Sequence, residues 1–77
     1  MKIKILFFGV LAEEAGAERI ELETGSDLGG LKRQVEKMFP AFGRYDYRVS
    51  VNRTLVQDNI SLSDGDEVAL LPPFAGG

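Results

Sequence analysis

The chain has 77 residues, 44% hydrophobic and 27% charged, with nine Lys and Arg against twelve Asp and Glu for a net charge of −3. That composition belongs to a single small globular domain and not to a disordered chain, and its mild acidity, with no concentrated basic face, argues against nucleic acid as a partner. Cys, His and Trp are all absent, which removes disulfides, a thiolate nucleophile, a zinc ribbon and the commonest general base, so the chain is not expected to be an enzyme by itself.

Residues 2–8 read as the first strand. Ile3, Ile5 and Phe7 fall on one face by the period of two, and Lys2, Lys4, Leu6 and Phe8 on the other. This apolar run is too short for a signal-peptide core or for the ~20 residues of a membrane span. A cytoplasmic address and no membrane partner are therefore expected. A short helical turn over 11–15 follows, with Gly16 placed to end it in the left-handed conformation. Residues 18–23 alternate Ile20 and Leu22 with Glu21 and Glu23, the pattern of a half-exposed strand.

Ser26 or Asp27 can cap a longer helix that runs to Phe39. Its apolar stripe is Leu28, Leu31, Val35 and Met38, at spacings of three and four, and Pro40 stops it. Gly29 and Gly30 stand in the first turn, although each costs up to about 1 kcal/mol against Ala in a helix interior. They mark either a loosely wound start or the close approach of another backbone.

Residues 42–47 read as a loop with aromatic anchors. Residues 48–51 read as a strand with Val49 and Val51 inward, and Asn52-Arg53 as a tight turn into 54–56. A second turn at 62–66, where Gly65 supplies a positive φ, feeds the last strand at 67–71. Asp64-Gly65-Asp66-Glu67 lacks the spacing and distal Glu of an EF-hand, so no metal site is expected there. One long helix across a mixed sheet gives a two-layer α+β fold. If Ile3, Ile5, Phe7, Val68 and Leu70 face that helix, then Leu6, Phe8, Ala69 and Leu71 point away from it. No second long helix is expected to cover them, and such a patch is suited to burial against another chain.

The expected domain spans 1–71 and leaves an extended tail at 72–77. Pro72 and Pro73 end the last strand and hold the chain extended. Phe74 can anchor in an apolar groove, and Gly76 and Gly77 suit a narrow channel because they carry no side chain. A carboxylate on Gly77 is then a slim group on a stalk. Its attack on the α-phosphate of ATP would give an acyl-adenylate, and a sulfur nucleophile displacing AMP would leave a thiocarboxylate. The chain has no P-loop for this, since Gly29-Gly30 lacks the Lys-Ser/Thr of a Walker A sequence. ATP is therefore expected to be used by a separate enzyme acting on Gly77, with no cofactor bound by this chain.

Leu6-Phe7-Phe8, Val51-Asn52-Arg53-Thr54-Leu55-Val56, and Leu62-Ser63-Asp64-Gly65-Asp66-Glu67-Val68-Ala69 leading into Pro72-Pro73-Phe74-Ala75-Gly76-Gly77 carry a family resemblance. In that order, over nearly the whole chain, the sequence resembles the small subunit of molybdopterin synthase. The resemblance implies a ubiquitin-like β-grasp fold, with the first and last strands adjacent and parallel at the sheet centre and a flexible C-terminal tail. It implies that Gly77, with Gly76 as its slim neighbour, is adenylated by a ubiquitin-activating-type enzyme and thiocarboxylated with a sulfurtransferase as sulfur source.

The large synthase subunit would receive the tail, and sulfur would pass to cyclic pyranopterin monophosphate to form the molybdopterin dithiolene. The implied assembly is a heterotetramer built on a large-subunit dimer. Leu6, Phe8, Ala69, Leu71, Pro72, Pro73, Phe74 and Ala75 would meet the partner. The chain departs from the family at Ala12, where an Arg is frequent. Sulfur carriers for the thiazole of thiamin or for sulfur amino acids share the Gly-Gly ending, as do ubiquitin-like protein modifiers, and these stand as alternatives.

Overall fold

A computed structural model describes residues 1–25 and 27–73 of the chain; the helix cap expected at Ser26 and the tail residues Phe74, Ala75, Gly76 and Gly77 lie outside the described residues. Strand β1 (Lys2–Phe7) keeps the expected alternation, with Ile3 and Ile5 fully buried, Phe7 nearly so, and Lys2 and Lys4 exposed. Strand β5 (Glu67–Leu71) runs parallel to it in the register Lys4 with Glu67 through Phe7 with Leu70. Strand β2 (Arg19–Glu23) pairs antiparallel with β1, while β3 (Arg48–Val51) pairs antiparallel with both β5 and β4 (Thr54–Val56). The sheet order is β2-β1-β5-β3-β4. The two most apolar strands therefore lie side by side at the centre, as the β-grasp fold requires.

Helix α2 (Leu28–Met38) joins this sheet in one core, burying Leu28, Leu31 and Val35 with Ile3, Ile5, Val68 and Leu70. Met38, expected in the same stripe, is instead 48% exposed. The apolar side of the helix closes on Phe39, four residues after Val35, whose ring stacks on Phe42 at 5.3 Å and meets Phe7 edge-on at 5.6 Å. Phe42 is fully buried and belongs to a short 3₁₀ helix (Pro40–Arg44) where a loop was expected. Pro40 suits the start of that helix, because a first-turn residue needs no N–H donor.

The Gly29-Gly30 start of α2 is regularly wound, and what approaches Gly29 is a side chain. Gly29 N–H donates to Asn59 Oδ1 at 2.7 Å, and a Cβ at Gly29 would sit 3.3 Å from that oxygen. Asn59 Nδ2 donates to Asp27 Oδ2, and Gly30 N–H donates to Asp27 Oδ1 at 2.9 Å. Leu28 N–H donates to the Ile60 carbonyl at 2.9 Å. The orphan donors of the helix start are thereby satisfied. The Asn59 bond, then the Gly30 bond, hold the Asp27 carboxyl below its ordinary range.

The β3–β4 hairpin turns on Asn52 and Arg53, both at positive φ (49° and 70°), the two-residue geometry that matches strand twist. The Asn52 side chain does a second task. Its Oδ1 accepts from Glu67 N–H and its Nδ2 donates to Asp66 Oδ1, both at 3.0 Å. Asp66 Oδ2 accepts from Ser63 N–H at 2.8 Å. These bonds, Asn52 first, keep the Asp66 carboxyl below its ordinary range. The start of β5 is thus tied to the hairpin on one side and to its own turn on the other.

Candidate functional site

Among the described residues the sheet has one face under α2 and one face without a helix. The strand registers assemble the second face row by row. Leu6 on β1 lies opposite Ala69 on β5, Ala69 opposite Ser50 on β3, and Ser50 opposite Leu55 on β4. Arg19 on β2 stands at the other end of this row, opposite Leu6. One step toward the end of β5, Leu71 lies opposite Arg48. Phe8, just past β1, is 45% exposed.

Of the expected contact residues, the registers place Leu6, Ala69 and Leu71 on this face, but not equally. Leu6 and Leu71 are half-buried and Phe8 is exposed, as the period of two predicts. Ala69 lies on the same face, yet only 9% of it is accessible. Its one-carbon side chain sits between neighbouring strands on both sides, so it forms the floor of the patch. Pro72 is half-buried and Pro73 exposed. Phe74, Ala75, Gly76 and Gly77 lie outside the described residues.

Two features of this face were missed in the sequence. Leu55 is 60% exposed and extends the apolar row onto β4. The signal for it was present: a two-residue turn at Asn52-Arg53 with Val49 and Val51 inward forces Ser50 and its partner Leu55 outward. Arg19 and Arg48 flank the apolar residues on both sides, and among the described residues neither makes an ion pair. At the far end of the face Lys4 lies between Glu21 and Glu67 in the register. The result is an apolar band with a charged rim, the anatomy of a protein-docking surface.

Reactive chemistry is not gathered here. Among the described residues no group of His, Cys, Asp or Glu is placed to hold a metal ion. Burial, then a 2.6 Å bond from its hydroxyl to Glu36 Oε2, pushes the Tyr47 phenol above its ordinary range. It lies under the helix side and stays neutral. No described helix is long and apolar enough to cross a membrane.

Comparison with known proteins agrees with this geometry. Residues 5–77 match the model of the ThiS family. The chain is 35% identical to the molybdopterin synthase sulfur carrier subunit of Mycobacterium tuberculosis, over all of this chain and 99% of the relative. It is 36% identical to the subunit of the same name from Chlamydomonas reinhardtii, over the full length of both.

Among solved structures, a Pyrococcus furiosus chain assigned as molybdopterin converting factor subunit 1 superposes with a TM-score of 0.88 at 26% identity, covering 96% of this chain and 99% of that one. The small archaeal modifier protein 1 of Haloferax volcanii gives 0.83 at 26% identity, covering 95% and 98%. A complex of subunits 1 and 2 of the molybdopterin-converting factor from Helicobacter pylori gives 0.73 at 28% identity, covering all of both chains.

Proposed function

The chain belongs to the ThiS family, and on that premise we propose that it is the sulfur carrier subunit of a molybdopterin synthase, non-catalytic by itself. The observation that carries this reading is full-length similarity to sulfur carrier subunits, within a family match that includes the whole Pro72-to-Gly77 segment. The apolar face that no helix covers among the described residues, at the root of that segment, supports it, and the two-subunit Helicobacter pylori neighbour supports a large-subunit partner.

In this reading Gly77 carries the cargo. Its carboxylate attacks the α-phosphate of ATP in a ubiquitin-activating-type enzyme and expels pyrophosphate. A sulfur nucleophile supplied by a sulfurtransferase then displaces AMP and leaves the thiocarboxylate. Leu6, Phe8, Leu71, Pro73 and Phe74 dock on the large synthase subunit, over the floor made by Ala69. Ala75 and Gly76 pass through a narrow entry, and sulfur goes to cyclic pyranopterin monophosphate to build the dithiolene. The body supplies docking energy and direction, and the partners supply the catalytic groups.

The test is incubation of the full chain with the activating enzyme, ATP and a sulfur source, followed by intact mass. Exchange of one oxygen for sulfur is expected, and deletion of Gly76-Gly77 should abolish it with little change in melting temperature. A wild-type chain that takes up no sulfur refutes the reading. The Haloferax volcanii neighbour favours a second one, a protein modifier joined through Gly77. That reading requires the chain's C-terminal segment isopeptide-linked through Gly77 to lysines of many cellular proteins, where the carrier reading requires a free thiocarboxylated chain.

A further inference from the structure

Gly9 links β1 to helix α1 (Val10–Ala15) and holds φ 56° and ψ −131°. The mirror image of that pair falls near the polyproline region of an L-residue, about −75° and +145°. It is therefore a conformation that glycine adopts freely and a residue with a Cβ does not. The space is as restrictive as the backbone. A Cβ at Gly9 would stand 3.0 Å from Pro72 Cγ, with Pro72 Cβ and Cδ at 3.8 and 3.9 Å. Pro72 is half-buried and is the first residue after β5. Its ring is seated on the turn that follows Phe8.

We propose that Gly9 is a positioning residue for the tail: by lacking a side chain it seats the Pro72 ring on the β1–α1 turn and sets the direction in which the chain leaves the body. The proposal rests on the carrier reading above. A flexible side chain would rotate out of a 3.0 Å contact, but the proline ring is fused to its own backbone. Relief of the contact must therefore move the main chain at residue 72, or the Gly9 turn against it.

Pro72 is the root of the tail, so a change of main-chain direction there is passed to the chain beyond it. Misplacement by about 1 Å in a reacting geometry can cost on the order of a hundredfold in rate. The docking face itself, with Leu6, Phe8 and Leu71, does not involve the missing Cβ. Gly9 should act on the chemical step and not on docking.

The experiment uses four full-length chains: wild type, Gly9→Ala, Pro72→Ala and the double variant. Each is carried through ATP-dependent thiocarboxylation by the activating enzyme, with carrier concentration varied and product read by intact mass, alongside thermal melts. Gly9→Ala is expected to lower kcat about tenfold with KM for the carrier within about twofold of wild type. In the Pro72→Ala background, Gly9→Ala should lower kcat by less than it does in the wild-type chain, because the Pro72 contact is already gone and only the strain of the Gly9 backbone is left.

Additive losses in kcat, or a rise in KM with kcat kept, overturn the proposal. Should Gly9→Ala fail to fold, Pro72→Ala alone decides, since it breaks the same contact from the tail side. It must lower kcat, and an unchanged kcat overturns the inference. Wild-type uptake of sulfur with no such effect sinks the positioning role alone, whereas no wild-type uptake sinks the carrier reading and this inference together.

Discussion

Phe8 offers a clean separation of docking from folding, through the pair Phe8→Ala and Phe8→Asp. Phe8 is 45% exposed. Full burial of a Phe side chain contributes about 1.5–3 kcal/mol, so roughly half, about 1 kcal/mol, is already realised in the body and about 1 kcal/mol is left for a partner. Both variants lose the same apolar area from the body. Each should therefore melt lower by about 4–8 °C per kcal/mol lost, and by nearly the same amount as the other. They differ in the complex. Asp is hydrated on the free chain but stripped of water beneath a partner, a penalty of several kcal/mol for an unpaired ion.

Taking about 3 kcal/mol for that penalty, Phe8→Asp should bind about a hundredfold more weakly than Phe8→Ala. Calorimetric titration against the large synthase subunit gives the affinities, and scanning calorimetry of the free chains gives the melting points. Equal affinities would show that Phe8 stays outside the interface. A melting point for the Asp variant far below that of the Ala variant would show that Phe8 is core, and the face assignment would fall.

Two further outcomes follow from the inner side of the fold. Phe42→Ala should cost about 3–5 kcal/mol, because Phe42 is fully buried against Phe7, Phe39 and Tyr47; a chain of this size holds only about 4–12 kcal/mol in total. Urea unfolding followed by circular dichroism checks it, and a loss under about 1 kcal/mol would mean that the aromatic cluster repacks. Asp66, held below its ordinary value of 3.8 by Asn52 and the Ser63 N–H, contributes stability that is complete above that value and lost as pH falls through its lower folded-state value. Unfolding measured from about pH 6 down to about pH 2.5 should therefore fall more steeply for wild type than for Asp66→Asn, and parallel curves would remove Asp66 from the acid response.

The parts of this fold legible in the sequence are those set by local period. Alternation in β1 placed Ile3, Ile5 and Phe7 inside and Phe8 outside, and Asn52 and Gly65, residue types that tolerate positive φ, marked their turns, whereas nothing about Arg53 announced its own positive φ. The misses share a cause, which is dependence on distant chain. Asn59 caps Gly29 across thirty positions, and no local pattern announces it. Met38 and Phe39 are adjacent, so spacing alone could not say which closes the stripe; the decision came from Phe7 and Phe42 arriving from elsewhere. Ala69 was placed on the right face, but its burial depends on the strands beside it and not on its own period. The candidate site was legible as a face and as a resemblance, whereas its arginine rim required the register.

Strand β5 joins the two halves of the molecule's task, since it is central to the core and also delivers the chain to Pro72. Its register therefore sets how much chain extends beyond the body. A slip of one residue would carry Val68 and Leu70, both fully buried, to the helix-free face. A slip of two would keep the faces but displace the tail by about 6.6 Å, since a strand rises about 3.3 Å per residue. Hydrophobic burial alone opposes only the first. The second is opposed by polar bonds at the strand's start: Asn52 holds Asp66 and Glu67, Gly65 N–H donates to the Lys2 carbonyl, and Lys2 N–H donates to Asp64 Oδ1. The turn at 62–66 thus acts as a stop that fixes how far β5 carries the chain beyond the body, and the function proposed above, in which one carboxylate reaches two partner sites, calls for such a stop.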